Sequence, residues 1–131
     1  MKISMEDILL RGALEKITGV MPKDCLVECQ LISFLVFDKD MGKAIGKKAV
    51  NVKELEKKLN KKIELVPYST KPEDVFAKAL EVNYSNVRTS NGKVIVMLDS
   101  ANKTKAYKNN GRIRRVKELI QRNFGLELVI N

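Results

Sequence analysis

The stretch Ala44-Ile45-Gly46-Lys47-Lys48-Ala49-Val50-Asn51-Val52 holds one glycine and two consecutive lysines between two apolar runs. Met41–Ile45 ahead of it reads as a short helical turn. Behind it, Asn51 is a residue type that caps helices, and Val52, Leu55 and Leu59 share one helical face until Asn60. The stretch is therefore a bend between two helices, with glycine where the backbone approaches a neighbour most closely. Such a bend offers main-chain amides and the positive end of the following helix to an anion. A plain helix break is the other reading of Gly46.

Working outward, Ile8, Leu9, Ala13, Leu14 and Ile17 recur at helical spacing after a cap-like Ser4 and Asp7, and Gly19 supplies the stop, so a helix is expected over 5–17. Cys25–Glu28 and Ile32–Phe37 read as two strands around a tight reversal. Asp38–Asp40 breaks the pattern, and Ile63, Leu65 and Val66 close the unit as a strand. The order is α-β-β-α-α-β. The second half repeats it. Ser69–Asp74, with Pro72, launches a helix carrying Val75, Phe76, Ala79 and Leu80. Ser85–Thr89 and Lys93–Leu98 flank Asn91-Gly92, a hairpin turn in which both central residues tolerate positive φ. A polar stretch at Ala101–Tyr107 leads to Lys108-Asn109-Asn110-Gly111, then to a helix with Ile113, Val116, Leu119 and Ile120, capped by Gly125, and a last strand Leu126–Ile130. Val66 and Val129 occupy equivalent places, a repeat of about 63 residues. The expected units are 1–67 and 68–131.

Composition narrows the chemistry. Among 131 residues there are 25 Lys+Arg, 16 Asp+Glu and no histidine, a formal charge of +9. Without histidine the commonest general base and metal ligand is missing. Cys25 and Cys29 are too few for a tetrahedral zinc site, and their spacing on one strand predicts two buried thiols about 13 Å apart. No nucleophile–base pair or metal cluster is visible, so no enzyme, no cofactor, no metal and no small-molecule substrate are expected. The apolar run Cys25–Phe37 is too short to span a bilayer, and Glu6, Asp7, Arg11 and Glu15 interrupt any signal-like stretch. A cytoplasmic protein without membrane contact is expected. The charge is sharply segregated: residues 39–62 carry nine lysines against three acids (+6), and residues 103–117 carry seven cations and no acid (+7). These sum to +13, so the remainder is −4 and the cations form an electrostatic footprint for a polyanion. A solvated lysine-rich surface of thermophilic type is the alternative.

The central stretch resembles the glycine–lysine loop of type II KH modules, an RNA-binding family that clamps about four nucleotides on a GXXG loop between two helices. The α-β-β-α-α-β order in both halves fits that family, as do Asp24-Cys25 and Asp40-Met41-Gly42-Lys43. Two such modules with little else are similar to archaeal NusA-type transcription factors, and the resemblance covers essentially the whole chain. It implies an α+β fold of two tandem type II KH modules, each a mixed three-stranded sheet covered by helices. It also implies single-stranded RNA as partner, and a role in transcription elongation, termination or antitermination through nascent RNA at the transcription elongation complex. Ala49 stands where the second glycine of the loop is expected, and Lys108 replaces the first glycine of the second loop. Asn109 and Asn110 tolerate left-handed geometry there.

On this reading Lys47, Lys48, Lys108, Asn109 and Arg112 meet phosphates. Gly46, Ala49, Asn51, Asn110 and Gly111 belong to the same RNA-binding set, as residues of the two loops. Lys43, Lys105, Arg114 and Arg115 widen the electrostatic funnel. Ile45, Val52, Leu55, Ile113, Val116 and Ile120 belong to the core, and Tyr107 either stacks on a base or packs. Two alternatives share the sequence: a ribosome- or rRNA-associated KH protein, and a protein-interaction scaffold with degenerate loops, which Ala49 and Lys108 favour.

Overall fold

The structure is a computed structural model that describes residues 5–131. The expected cap at Ser4 lies outside the described residues. Two compact units divide between Tyr68 and Ser69. In the first, α1 (Met5–Thr18) is followed by β1 (Asp24–Val27), β2 (Leu31–Phe37), a 3-10 turn at Asp38–Asp40, α2 (Met41–Ile45), α3 (Val50–Leu59) and β3 (Lys62–Tyr68). In the second, the order is α4 (Pro72–Leu80), β4 (Asn86–Ser90), β5 (Lys93–Met97), α5 (Ser100–Tyr107), α6 (Asn110–Phe124) and β6 (Glu127–Ile130).

Each unit holds a three-stranded mixed sheet with the second strand in the middle. β1 and β2 pair antiparallel, with Cys25 opposite Phe34, while β2 and β3 run parallel, with Phe34 opposite Leu65. The second sheet repeats this: Val87 faces Val96 antiparallel, and Val94 faces Leu128 parallel. A parallel neighbour needs a crossover connection, and in both units two helices supply it. The crossover therefore carries the bend between α2 and α3 in the first unit and between α5 and α6 in the second.

The first core joins Leu10, Ala13 and Leu14 of α1 to Ile32, Phe34 and Val36 of β2, with Ala44 of α2 and Leu55 of α3. Ile45 and Val52 pack against that cluster half-buried. In the second unit Val75, Phe76, Val94, Val96, Ile113, Val116, Leu119 and Ile120 are all buried. The stops are the ones physical chemistry favours. Asn60 leaves α3 in the left-handed region at φ 52°, and Gly125 leaves α6 at φ 68°. Asn91 and Gly92 both take positive φ, which matches a two-residue hairpin to the twist of its strands. In the second unit the Tyr84 hydroxyl donates to Asp74 of α4 at 2.8 Å; that bond holds its proton and raises its pKa above the usual tyrosine value.

One expectation is corrected. Cys29 lies past the end of β1 and is exposed, so only Cys25 is a buried thiol; the strand is four residues long, too short for both positions to share its face. The polar stretch Ala101–Tyr107 is the first crossover helix of the second unit, where the repeated element order places one. Asp99 caps it, accepting from the Asn102 backbone N–H at 2.8 Å and from its Nδ2 at 2.9 Å, and only Ala106 is buried, which is why no apolar periodicity announced it. These bonds, the backbone one first, hold the Asp99 carboxyl below its ordinary pKa. A depressed folded pKa means the cap contributes fully above the ordinary carboxylate value of about 4 and is lost as the pH falls through the folded value. In an acid titration by NMR the Asn102 amide should shift with Asp99, ahead of global unfolding. An Asn102 amide indifferent to that titration would show the cap to be absent.

Candidate functional site

Asn51 does not cap α3. Its Nδ2 reaches back across the bend and donates to the Lys43 carbonyl of α2 at 2.9 Å. The residue at the cap is Ala49, whose side chain offers no acceptor, so no side-chain bond closes the start of α3. The chain enters through Gly46 at φ 77° and ψ 168°, a region essentially reserved for glycine. Lys48 (φ 53°) and Ala49 (φ 60°) then both sit left-handed. Ala49 adopts this positive φ despite its Cβ, at a cost of about 1 kcal/mol per non-glycine residue. Two internal bonds hold the bend: Gly46 N–H to the Gly42 carbonyl at 3.0 Å and Ala49 N–H to the Gly46 carbonyl at 3.1 Å.

Gly46 is required for space as well as for φ. A Cβ there would stand 2.8 Å from Asn51 Nδ2 and 3.0 Å from Val50 Cγ1. Gly46→Ala should therefore strain the backbone and evict the Asn51 bond, costing about 3 kcal/mol together. Ala49→Gly should stabilise by about 1 kcal/mol, because it relieves a left-handed alanine. Urea midpoints of the two variants, moving in opposite directions, check the geometry; parallel shifts would contradict it.

Around this bend Lys47 and Lys48 are exposed, and Val50 is 54% exposed although apolar. With Lys53, one turn further along α3, these residues line a shallow depression. Sequence reasoning missed Val50 and Lys53 as site residues; the helical spacing of 50 and 53 is the signal that finds them. Lys43 is turned elsewhere: its ammonium nitrogen lies 3.2 Å from where a Gly19 Cβ would stand, at the carboxyl end of α1. A cation there complements the helix dipole.

The second bend is built differently. Lys108 is helical at φ −64°, and neither Asn109 nor Asn110 takes positive φ. Asn109 passes through φ −129° and caps α6, its side-chain oxygen accepting from the Arg112 N–H at 3.2 Å. Gly111 lies inside α6, so it is no turn glycine. Its missing side chain makes room for the Arg115 guanidinium, whose Nη1 would be 3.1 Å from a Gly111 Cβ. Arg115 is consequently buried at 9% exposure, which corrects its assignment to an exposed funnel. Lys105, Tyr107, Lys108, Asn109, Asn110 and Arg114 are exposed, and Arg112 is half-buried. Among the described residues no group of three or more His, Cys, Asp or Glu is placed to hold a metal ion, and no helix is long and apolar enough to cross a membrane.

A KH domain family model matches residues 10–94, well over half the chain. The chain belongs to the KH domain family, and the relatives it resembles are archaeal proteins named probable transcription termination protein NusA. It is 38% identical over 68 residues to a probable transcription termination protein NusA of Methanocaldococcus jannaschii, and 34% identical over 82 residues to the protein of the same name from Halococcus morrhuae. These matches cover 52% and 61% of this chain but only 37% and 59% of those two proteins' own lengths. The crystal structure of APE1850 is similar at 30% identity and a TM-score of 0.83, covering 98% of this chain and 100% of that one.

Proposed function

We propose that this protein binds single-stranded RNA, that its two units are tandem type II KH modules, and that the bend at 46–49 is the principal phosphate clamp. The observation that carries this is the uncapped start of α3 behind Gly46, flanked by exposed Lys47 and Lys48. A helix start that no side chain caps, two exposed cations and a glycine-opened approach suit a sugar–phosphate strand. The exposed Val50 offers an apolar contact for a base beside the phosphates. In the second unit Lys108, Asn110 and Arg114 supply cations and donors around a bend already closed by Asn109. That closure favours a supporting or protein-docking role for the second bend.

The NusA-named relatives suggest the setting: a cytoplasmic factor acting on nascent RNA during elongation, termination or antitermination, in company with the transcription elongation complex. Fluorescence anisotropy with labelled single-stranded RNA over a range of salt concentrations tests the reading. With about four to six phosphates neutralised, the log–log salt slope should lie between roughly −3 and −4, at −0.7 per phosphate. A flat salt profile would remove phosphate capture as the mode of binding. Crosslinking and sequencing of bound cellular RNA separates messenger from ribosomal targets.

A further inference from the structure

The lysines of α3 outnumber anything the bend needs. Beyond Lys47 and Lys48 the outer side of the helix carries exposed Lys53, Lys57 and Lys58, and exposed Lys16 lies across from its carboxyl-terminal half on α1. Arg11 pairs with Asp24, and none of these lysines takes part in that pair. Lys53 and Lys57 stand four residues apart, where like charges repel and destabilise an isolated helix. Glu56 on the same helix is engaged elsewhere, accepting from the Ile63 N–H at 3.2 Å. Glu54 is the one carboxylate among them.

These lysines line two depressions in succession along α3. The first lies at the bend, between Lys47, Lys48, Val50 and Lys53. The second is a groove between α1 and α3, floored by Ile17 and edged by Lys16, Glu54, Lys57 and Lys58. Three ammonium groups against one carboxylate leave that groove cationic. A four-residue step on a helix advances about 6 Å, so Lys53 and Lys57 continue the line of the bend at intervals that suit successive phosphates of an extended strand. Lysine near the carboxyl end of α3 also complements the helix dipole, but the dipole does not account for Lys53 in mid-helix or for Lys16 opposite.

We infer that the α3 ridge and the α1–α3 groove form an additional subsite for single-stranded RNA, taking phosphates of the segment that leaves the bend. This rests on the RNA-binding reading above and extends its footprint beyond the nucleotides held at residues 46–49. The subsite is sequence-tolerant, because lysines meet phosphates as point charges and carry no base-edge pattern.

The test compares fluorescein-labelled oligouridylates of 4 and 12 nucleotides against the full chain, the variant Lys57→Ala/Lys58→Ala, and the variant Lys47→Asp/Lys48→Asp. At 0.15 M salt a slope of 0.7 per phosphate amounts to roughly a fourfold change in affinity per contact. K57A/K58A should therefore weaken the 12-mer by about fifteenfold and lower its salt slope by about 1.4, leaving the 4-mer within about twofold. Equal weakening of both lengths would mean a diffuse field rather than a subsite, and no change in either would leave the groove to another partner; both results overturn the proposal. If K57A/K58A changes neither length while K47D/K48D weakens both, only the ridge falls. If the unmodified chain binds neither oligonucleotide, the RNA-binding reading falls and takes the ridge with it.

Discussion

Lys47→Asp/Lys48→Asp should lower the affinity for single-stranded RNA by roughly two-hundredfold at 0.15 M salt. The figure follows from counterion release. Each phosphate contact is worth about fourfold at that salt, so losing two costs about fifteenfold, and reversing both charges adds a repulsive term of similar size. Both side chains are exposed, so the fold should be unaffected. Anisotropy titrations give the affinity, and far-ultraviolet circular dichroism gives the fold. The equivalent change at the second bend, Lys108→Asp, should cost much less, because Asn109 already occupies the start of α6. Equal losses at the two bends would contradict the asymmetry between an open and a capped helix start.

The second large effect concerns stability. Arg11 of α1 reaches Asp24 of β1, Nη2 to Oδ1 at 3.4 Å, and the Asp24 side chain is fully buried while that of Arg11 is 19% exposed. The same Oδ1 accepts from the Cys25 N–H at 2.7 Å. Arg11→Met keeps the aliphatic bulk but removes the Arg11 charge from beside the buried carboxylate, which costs about 3 kcal/mol. Arg11→Met/Asp24→Asn should recover much of that loss, since no buried charge remains to be compensated. Urea unfolding with constant m-values measures both variants. A double variant no more stable than Arg11→Met alone would show that packing, not the pair, was removed.

The two bends also show why local pattern carried the fold so far and the site less far. Order of elements, positions of strands, and the stops at Asn60, Asn91-Gly92 and Gly125 are properties of short segments, governed by side-chain periodicity and by the φ each residue tolerates. They are legible one segment at a time. Helix α5 follows from the repeated order rather than from its own periodicity, because its single buried residue leaves no periodic stripe; the Asp99 cap and α6 beside it support it.

Site details needed three dimensions. Asn51 is a capping residue by type, yet its side chain found a better acceptor eight positions back, at Lys43. Gly111 reads as a turn glycine, yet it gives room to a guanidinium one helical turn later. Arg115 counts toward the charge of its segment, yet burial withdraws it from any surface field.

The sequence alone determined which elements form, where the glycine-opened bend falls, and that cations gather along it, because backbone preference and charge are local quantities. The tertiary structure decided which helix start stays open, which cations remain on the surface, and that a lysine groove runs between α1 and α3. Those depend on what lies within a few ångströms in space, and residues distant in sequence supply it.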